Sequence, residues 1–229
     1  MNSIIWLGES STTINGLLIS ELPPISKPPM RVKETFIDGR DGSIIENLGY
    51  SSYDKNVVIG LHGNFDINEV IKYFTGEGLV VFSNEPDKAY TAKIVGQIDY
   101  NRLLRYRQAT VTFRVQPFKH KANEATTTIK TMGATVRNEG LETSKPKMTI
   151  YGSGTVTIIV NGSSIFEYTF PSGESKVIVD SETENAWLGY ELKNRNMNGD
   201  FPILEPGSNI IKWSGTVTSI EILPRSRWL

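Results

Sequence analysis

The chain has 229 residues, of which 38% are hydrophobic and 21% charged, so it suits one large or two modest globular domains and is neither disordered nor membrane-like in composition. It contains no cysteine, which excludes disulfide bonds, thiolate metal sites and a cysteine nucleophile, and its formal net charge of −1 argues against wrapping DNA through phosphate contacts. No apolar run approaches the roughly 18 residues that cross a bilayer, and the N-terminus lacks the features of a secretion signal, so we expect synthesis in a cytoplasm and no membrane partner.

The N-terminal part alternates short apolar runs with turn signals, and its first predicted strand covers residues 14–19. The proline-rich stretch 22–29 cannot lie in the centre of a sheet and should run extended. Residues 30–37 alternate apolar and charged side chains, as expected of a strand exposed on one side, and residues 43–46 form the predicted return strand. Turn-forming residues lie between them, so the sequence predicts a long exposed β-hairpin. The tip of this hairpin consists of Asp38, Gly39, Arg40, Asp41 and Gly42.

One helix is predicted to begin after Asp66, which is a good N-cap, and Glu69 adds a pattern like a capping box. Apolar residues at spacings of three and four form its predicted buried face, and Gly76 should end it. That face consists of Ile67, Val70, Ile71 and Phe74. Strands are predicted at residues 79–82, 89–99 and 108–116, and Pro117 should end the last of them.

A polar, threonine-rich stretch at residues 119–132 predicts a boundary between domains 1–125 and 126–229. Beyond it the pattern is purely β. Asn161-Gly162 between two apolar runs is a strong signal for a type I′ hairpin. Shorter strands are predicted at residues 176–180 and 186–190, and a terminal hairpin at residues 210–213 and 217–222 turns at Ser214-Gly215. The number and spacing of these strands suit a β-sandwich or jelly roll.

No catalytic constellation, cofactor site or metal site is expected. His62 and His120 are the only histidines, and neither has neighbours at ligand spacing. Asp38 and Asp41 lack the late glutamate of a calcium loop, and Arg40 lies between them. Glycosidases need two carboxylates at a fixed separation in a cleft, whereas the paired acids of this chain lie in polar turn segments. The sequence therefore indicates a protein that is not an enzyme.

Two segments are candidates for contact with other proteins. A basic cluster forms either a solvated strand edge, whose charges discourage edge pairing, or part of a subunit interface. It contains Arg102, Arg105, Arg107, Arg114, Lys119 and Lys121. Near the C-terminus, two prolines and several apolar residues at positions 199–213 predict a rigid, anchored loop that holds a docking surface. The predicted docking residues are Phe201, Pro202, Leu204 and Trp213.

The order of these features resembles the distal tail (Dit) proteins of long, non-contractile-tailed phages and prophages of Gram-positive bacteria, and the resemblance covers essentially the whole chain. The features are the Gly39-Arg40-Asp41-Gly42 tip, the short helix, the strand that ends in Pro117-Phe118-Lys119, and the Pro206-Gly207 segment followed by Asn209. The implied fold is mainly β. It has an N-terminal β-sandwich with one short helix and a long β-hairpin that acts as a belt, followed by a galectin-like or jelly-roll C-terminal β-sandwich.

The resemblance also implies a structural role in the virion. Such proteins form a homo-hexameric hub ring between the tail tube protein and the tail tip or baseplate. Their partners are receptor-binding or baseplate proteins and a tail-tip protein that often carries peptidoglycan hydrolase activity. DNA would pass through the lumen without specific binding. The hairpin would reach a neighbouring subunit, which makes Asp38 to Gly42, with Arg105 and Arg107, the expected intersubunit contact.

Two other classes of function stay open at this point. One is a carbohydrate-binding module that contacts host cell-wall sugars, since aromatic residues of the second half could stack on sugar rings. These are Tyr151, Phe166, Tyr168, Trp187, Tyr190 and Trp213. Strand aromatics more often fill a sandwich core, and the short C-terminal domain leaves no room for the additional sugar-binding modules of larger relatives. The other class is a β-rich hydrolase.

Overall fold

The computed structural model describes residues 1–229 and divides into two compact units. The first comprises Met1–Ala122 with Leu229, and the second Asn123–Trp228. Both are built mainly from antiparallel strands, so the predicted mainly β class is confirmed. Neither of the two α-helices is long or apolar enough to cross a lipid bilayer.

The first domain contains nine strands and both α-helices. They are β1 (Ile4–Trp6), β2 (Glu9–Ser10), β3 (Leu17–Glu21), β4 (Met30–Phe36), β5 (Ser43–Tyr50), β6 (Tyr53–Leu61), α1 (Ile67–Tyr73), β7 (Glu77–Phe82), β8 (Lys88–Ile94), α2 (Tyr100–Tyr106) and β9 (Gln108–Lys121). Seven of these strands form one sheet in the order β2-β1-β7-β8-β9-β6-β3. Alternate side chains of this sheet point into one core, where the ring of Phe113 meets Trp6 and Phe82 edge-on at 5.2 and 5.9 Å between centroids.

Helix α1 lies where the sequence predicts it. The Asp66 carboxylate accepts a hydrogen bond from the Asn68 N–H at 2.9 Å and caps the helix. Val70 and Phe74 are buried as predicted, but Ile71 is 38% exposed. The buried face of α1 therefore includes Tyr73, three residues after Val70, in place of Ile71.

Helix α2 was not predicted, and the strand expected at residues 89–99 ends at Ile94. The carboxylate of Asp99 caps this helix by accepting from the Arg102 N–H at 2.8 Å. Leu103 is its only buried residue, and the helix has only seven residues, which is too short for its apolar spacing to stand out in the sequence. Because α2 is present, the prediction of a single short helix in the N-terminal domain is wrong.

The ends of two other predicted strands differ from expectation. The chain forms β1 before the predicted first strand, and β3 begins only after a turn at Gly16, whose φ is +73°. Strand β9 continues through Pro117 to Lys121. Opposite β8, Val115 pairs with Ala92 and Lys119 with Tyr90, so β9 carries extra residues there. Pro117, which has no N–H to donate, lies in this irregularity, and the strand does not end.

The second domain contains the remaining strands. They are β10 (Thr127–Ile129), β11 (Ala134–Asn138), β12 (Lys147–Val160), β13 (Ser163–Thr169), β14 (Lys176–Asp180), β15 (Asn185–Leu188), β16 (Glu191–Leu192), β17 (Met197–Gly199), β18 (Gly207–Leu223) and β19 (Arg227–Trp228). Strands β10, β18, β12, β14, β15 and β16 are neighbours in that order, and β13 also pairs with β12. Asn161 and Gly162 join β12 to β13 with φ values of +53° and +88°, which are the positive angles of the predicted type I′ turn.

The prediction of a terminal hairpin is wrong, because residues 207–223 form the single long strand β18. Ser214 pairs with Thr157 and Thr216 with Ser153, so the chain keeps its direction along β12. Gly215, at φ +84°, lies where the register between β18 and β12 shifts, and the extra residues at this shift belong to β12.

Replacing Gly215 with alanine should destabilise the second domain. A Cβ at this position would lie 2.3 Å from the backbone oxygen of Thr155, in addition to the strain of a positive φ. We expect the free energy of unfolding to fall by about 2–4 kcal/mol. Gly173→Ala is the matched control, since Gly173 has a φ of +86° with open space around it, and should cost only about 1 kcal/mol. Urea unfolding measures both; equal losses would mean that the close approach contributes nothing.

Candidate interaction surface

The hairpin of β4 and β5 is a separate two-stranded sheet that projects from the first domain. Every residue of β4 is exposed, and the side chains of Phe36 and Ile45 are 74% and 61% exposed. At its base, the Ser51 N–H donates to the Pro29 carbonyl at 2.8 Å. A two-stranded hairpin is marginally stable in water unless another surface covers it. This geometry predicts that another molecule packs on the hairpin.

The two faces of the hairpin differ in chemistry. Residues directly opposite each other share a face, and Glu34 lies opposite Ile45, while Phe36 lies opposite Ser43. The Ser43 hydroxyl donates to the Glu34 carboxylate, so the charged group on this face is already bound within the hairpin. We call this side the apolar face. Its apolar members are Met30, Val32, Phe36, Ile45 and Tyr50.

The opposite side is the charged face of the hairpin. The Lys33 ammonium lies 3.9 Å from the Glu46 carboxylate, and the Arg31 guanidinium donates to the Leu48 carbonyl at 2.9 Å. Thr35 and Ile44 lie opposite each other on this same face. These polar groups are satisfied within the hairpin, so this face can remain in water while the apolar face is covered.

The predicted tip residues form an exposed turn between the two strands. Gly39 and Gly42 both have a φ of +79°, and the Arg40 N–H donates to the Ile37 carbonyl at 3.1 Å. Asp38, Arg40 and Asp41 are exposed side chains. Their role in an intersubunit contact stays a prediction.

The residues of the predicted basic cluster lie in separate environments. Arg102 and Arg105 lie on α2 and line a groove of about 640 Å³, and the Arg107 guanidinium lies 4.7 Å from the Phe65 ring. Two members are paired elsewhere: Arg114 with Asp54 on the sheet surface, and Lys119 with Glu85 in the interior at 2.7 Å. The strand-edge interpretation is therefore wrong for Arg102 and Arg105, because these residues belong to a helix.

The predicted docking residues of the second domain lie mostly in its core. Leu204 is 0% and Trp213 7% exposed, Pro202 is buried, and Phe201 packs partly buried against the core. They anchor the loop as expected, since the Leu204 and Ser144 backbones exchange hydrogen bonds of 3.0 and 2.8 Å. The prediction of a docking surface is wrong for Pro202, Leu204 and Trp213, because these side chains are buried. For Phe201, which is partly exposed, it stays a prediction.

The aromatic residues and histidines singled out in the sequence lie in different environments. Tyr168 is fully buried, and the half-buried Trp187 faces the Lys147 ammonium at 5.6 Å. His62 is exposed after the end of β6. No group of three or more histidine, aspartate or glutamate side chains is arranged to hold a metal ion.

Comparison with known proteins identifies the fold. No model of a protein family matches the sequence, and no curated protein matches it either. The chain is similar to the crystal structure of the SPP1 Dit (gp 19.1) protein, described as a paradigm of the hub adsorption apparatus in phages that infect Gram-positive bacteria. The identity is 16%, all of both chains is covered and the TM-score is 0.74. Two structures of the phage p2 baseplate in its activated conformation, with Sr and with Ca, match at 9% identity over 96% and 97% of this chain and 97% of theirs, with TM-scores of 0.48 and 0.43. The SPP1 match confirms the resemblance to Dit proteins at the level of the fold.

Proposed function

We propose that this chain is a distal tail protein, a structural subunit of the hub ring between the tail tube and the tail tip or baseplate of a phage or prophage particle. The full-length fold shared with SPP1 Dit supports the hub assignment. The observation that carries the proposal is the hairpin, whose apolar face is exposed along most of its length and meets its own domain near the base, where the rings of Tyr50 and Phe118 lie 6.1 Å apart between centroids.

The hairpin is suited to join one copy of the chain to the next. Strand β4 has seven residues, so the hairpin reaches about 23 Å beyond its base. A closed ring needs a heterologous contact, in which one patch meets a different patch on the next copy. The apolar face would supply the first patch and the body of the neighbouring first domain the second. Six copies would close the ring.

The second domain would face outward and hold the receptor-binding or baseplate proteins, while the ring also contacts the tail tube protein and a tail-tip protein. Its core is formed by residues of the domain itself, as a rigid platform requires. The net charge of −1 suits a conduit through which DNA passes without being held, since basic surfaces bind phosphates. The role is structural and involves no reaction.

Size-exclusion chromatography with light scattering tests the proposal. The expected result is a species of six times the 25.5 kDa chain mass. A chain that remains monomeric as its concentration is raised, and that shows instead saturable binding to purified cell-wall glycans, would contradict the ring and support a carbohydrate-binding module.

A further inference from the structure

The strap that leads into the hairpin is held by side chains of the domain body. We define the strap as residues 22–29, which connect β3 to β4 and include four prolines. The Lys55 ammonium donates to the Pro24 carbonyl and the Asn84 amide to the Pro23 carbonyl, each at 2.9 Å. The Tyr53 hydroxyl donates to the Ser26 carbonyl at 3.5 Å. Prolines cannot donate to a sheet, so side-chain ties replace the usual ladder of backbone hydrogen bonds.

Lys55 is an unusual residue for this task, because it is only 2% exposed. Its ammonium lies among aromatic rings, 4.9 Å from the centroid of Tyr90 and 5.8 Å from that of Phe82. Burial lowers the pKa of Lys55, the negative charge of Glu85 raises it, and the positive charge of Lys119 lowers it further. The cation is thus held in the interior against its preference for water.

The nearby carboxylate is already engaged by other groups. Glu85 accepts from the Lys119 ammonium at 2.7 Å and also from the Tyr90 hydroxyl. Two buried lysines therefore share one carboxylate, and Lys55 has none of its own. A buried charge of this kind is often replaced by an apolar side chain without loss of stability. Burial of the Lys55 ammonium is thus unfavourable for stability. The hydrogen bond that Lys55 makes goes to the Pro24 carbonyl of the strap.

We infer that Lys55 is a positioning residue that sets the direction of the hairpin by tying down its incoming strap, an inference that rests on the proposed role of the hairpin in assembly. The outgoing strand β5 is separated from β6 by only two residues, so that leg is already fixed to the domain body. Lys55, on β6, fixes the incoming leg through Pro24. A hairpin whose two connections to the domain body are both fixed loses less conformational entropy when it binds a partner.

The test compares Lys55→Met with the wild-type chain. Methionine keeps the length of the side chain and leaves the Glu85–Lys119 pair electrically balanced. We expect the midpoint of thermal unfolding to stay the same or rise, while the amides of the strap exchange hydrogen about tenfold faster. We also expect assembly to weaken by about tenfold. A merely structural lysine would change stability without this selective loss of protection and assembly.

Two further variants complete the test. Lys72→Met removes an exposed charge on α1 and should leave strap exchange and assembly unchanged. Asn84→Ala removes the hydrogen bond to the Pro23 carbonyl. Because Asn84 lies in an exposed turn, this variant tests the effect of a freed strap on assembly if Lys55→Met fails to fold. Unchanged strap exchange in the folded variants, or faster exchange with assembly equal to the wild type, would overturn the inference and leave the ring proposal intact. A wild-type chain that never assembles would refute the ring itself.

Discussion

Ile45→Lys should convert the assembled protein into a folded monomer. Ile45 lies on the apolar face of the hairpin and is 61% exposed, so the change removes nothing from the core of the chain. The new ammonium would face Glu34 across the strands, an arrangement that supports the free hairpin. In the ring, the same ammonium would have to leave water at every interface. We expect the dissociation constant to rise at least about a hundredfold, since desolvation of a charge costs about 3 kcal/mol or more.

The matched control is Ile44→Lys, which changes the neighbouring isoleucine to the same residue on the charged face. Ile44 is 45% exposed, so the net charge and the loss of apolar surface are similar in the two variants. Light scattering should show Ile44→Lys assembling like the wild type. Equal loss of assembly in both variants would mean that both faces are covered, and unchanged assembly in both would remove the hairpin from the interface.

Arg225→Met should give the largest loss of stability in the second domain. The guanidinium of Arg225 binds both oxygens of the Asp180 carboxylate, with Nη2 at 2.7 Å from Oδ2. The Asp180 side chain is 3% exposed, so the variant leaves a buried carboxylate without its partner. Breaking a buried ion pair in this way costs about 3–5 kcal/mol. Urea unfolding followed by tryptophan fluorescence measures the loss, because Trp187 and Trp213 belong to this domain.

An exposed ion pair of the same domain serves as the control. Lys145 lies 3.7 Å from Glu184, and both side chains are largely in water. Lys145→Met should change the free energy of unfolding by less than about 1 kcal/mol. If Arg225→Met cost no more than this, the Asp180–Arg225 pair would not contribute to stability.

The same pair predicts the pH dependence of the second domain. Burial by itself would raise the pKa of Asp180, but hydrogen bonds from Arg225 and from the Glu182 N–H, with the charge of Arg225, lower it below 3.8. A lowered pKa in the folded state means that the stabilisation is fully present above 3.8 and is lost as the pH falls through the folded-state pKa. The difference in stability between the wild type and Arg225→Met should therefore shrink in acid.

Local sequence chemistry predicted the parts of the fold that local interactions determine. The hairpin of β4 and β5, the Asp66 cap of α1 and the Asn161-Gly162 turn each depend on residues close together in sequence, and all are present. Helix α2 escaped prediction because tertiary contact with Leu103 fixes it. Ser214-Gly215 has the local chemistry of a turn, and the partner of this segment across the sheet, on β12, is about sixty residues away in sequence, so local chemistry alone predicts the wrong structure there.

The interaction surface was predicted only in part for a similar reason. An apolar residue in an irregular segment, such as Leu204, can point inward or outward, and its sequence neighbours do not decide which. At Lys55 the sequence does carry a signal for a functional contact. Lys55 lies on the same face of its strand as Val57 and Ile59, both of which are buried, so the period-two pattern of a strand places its ammonium on the core side. A lysine at an inward position is a reason to look for the group that it binds.

Electron microscopy of the purified chain in negative stain tests the central claim most directly, because the symmetry of a ring is visible in single particles. The account predicts rings with sixfold symmetry in the wild type and in Ile44→Lys, and isolated compact particles in Ile45→Lys. Wild-type fields that contain only isolated particles, at concentrations where light scattering also reports the mass of one chain, would contradict it.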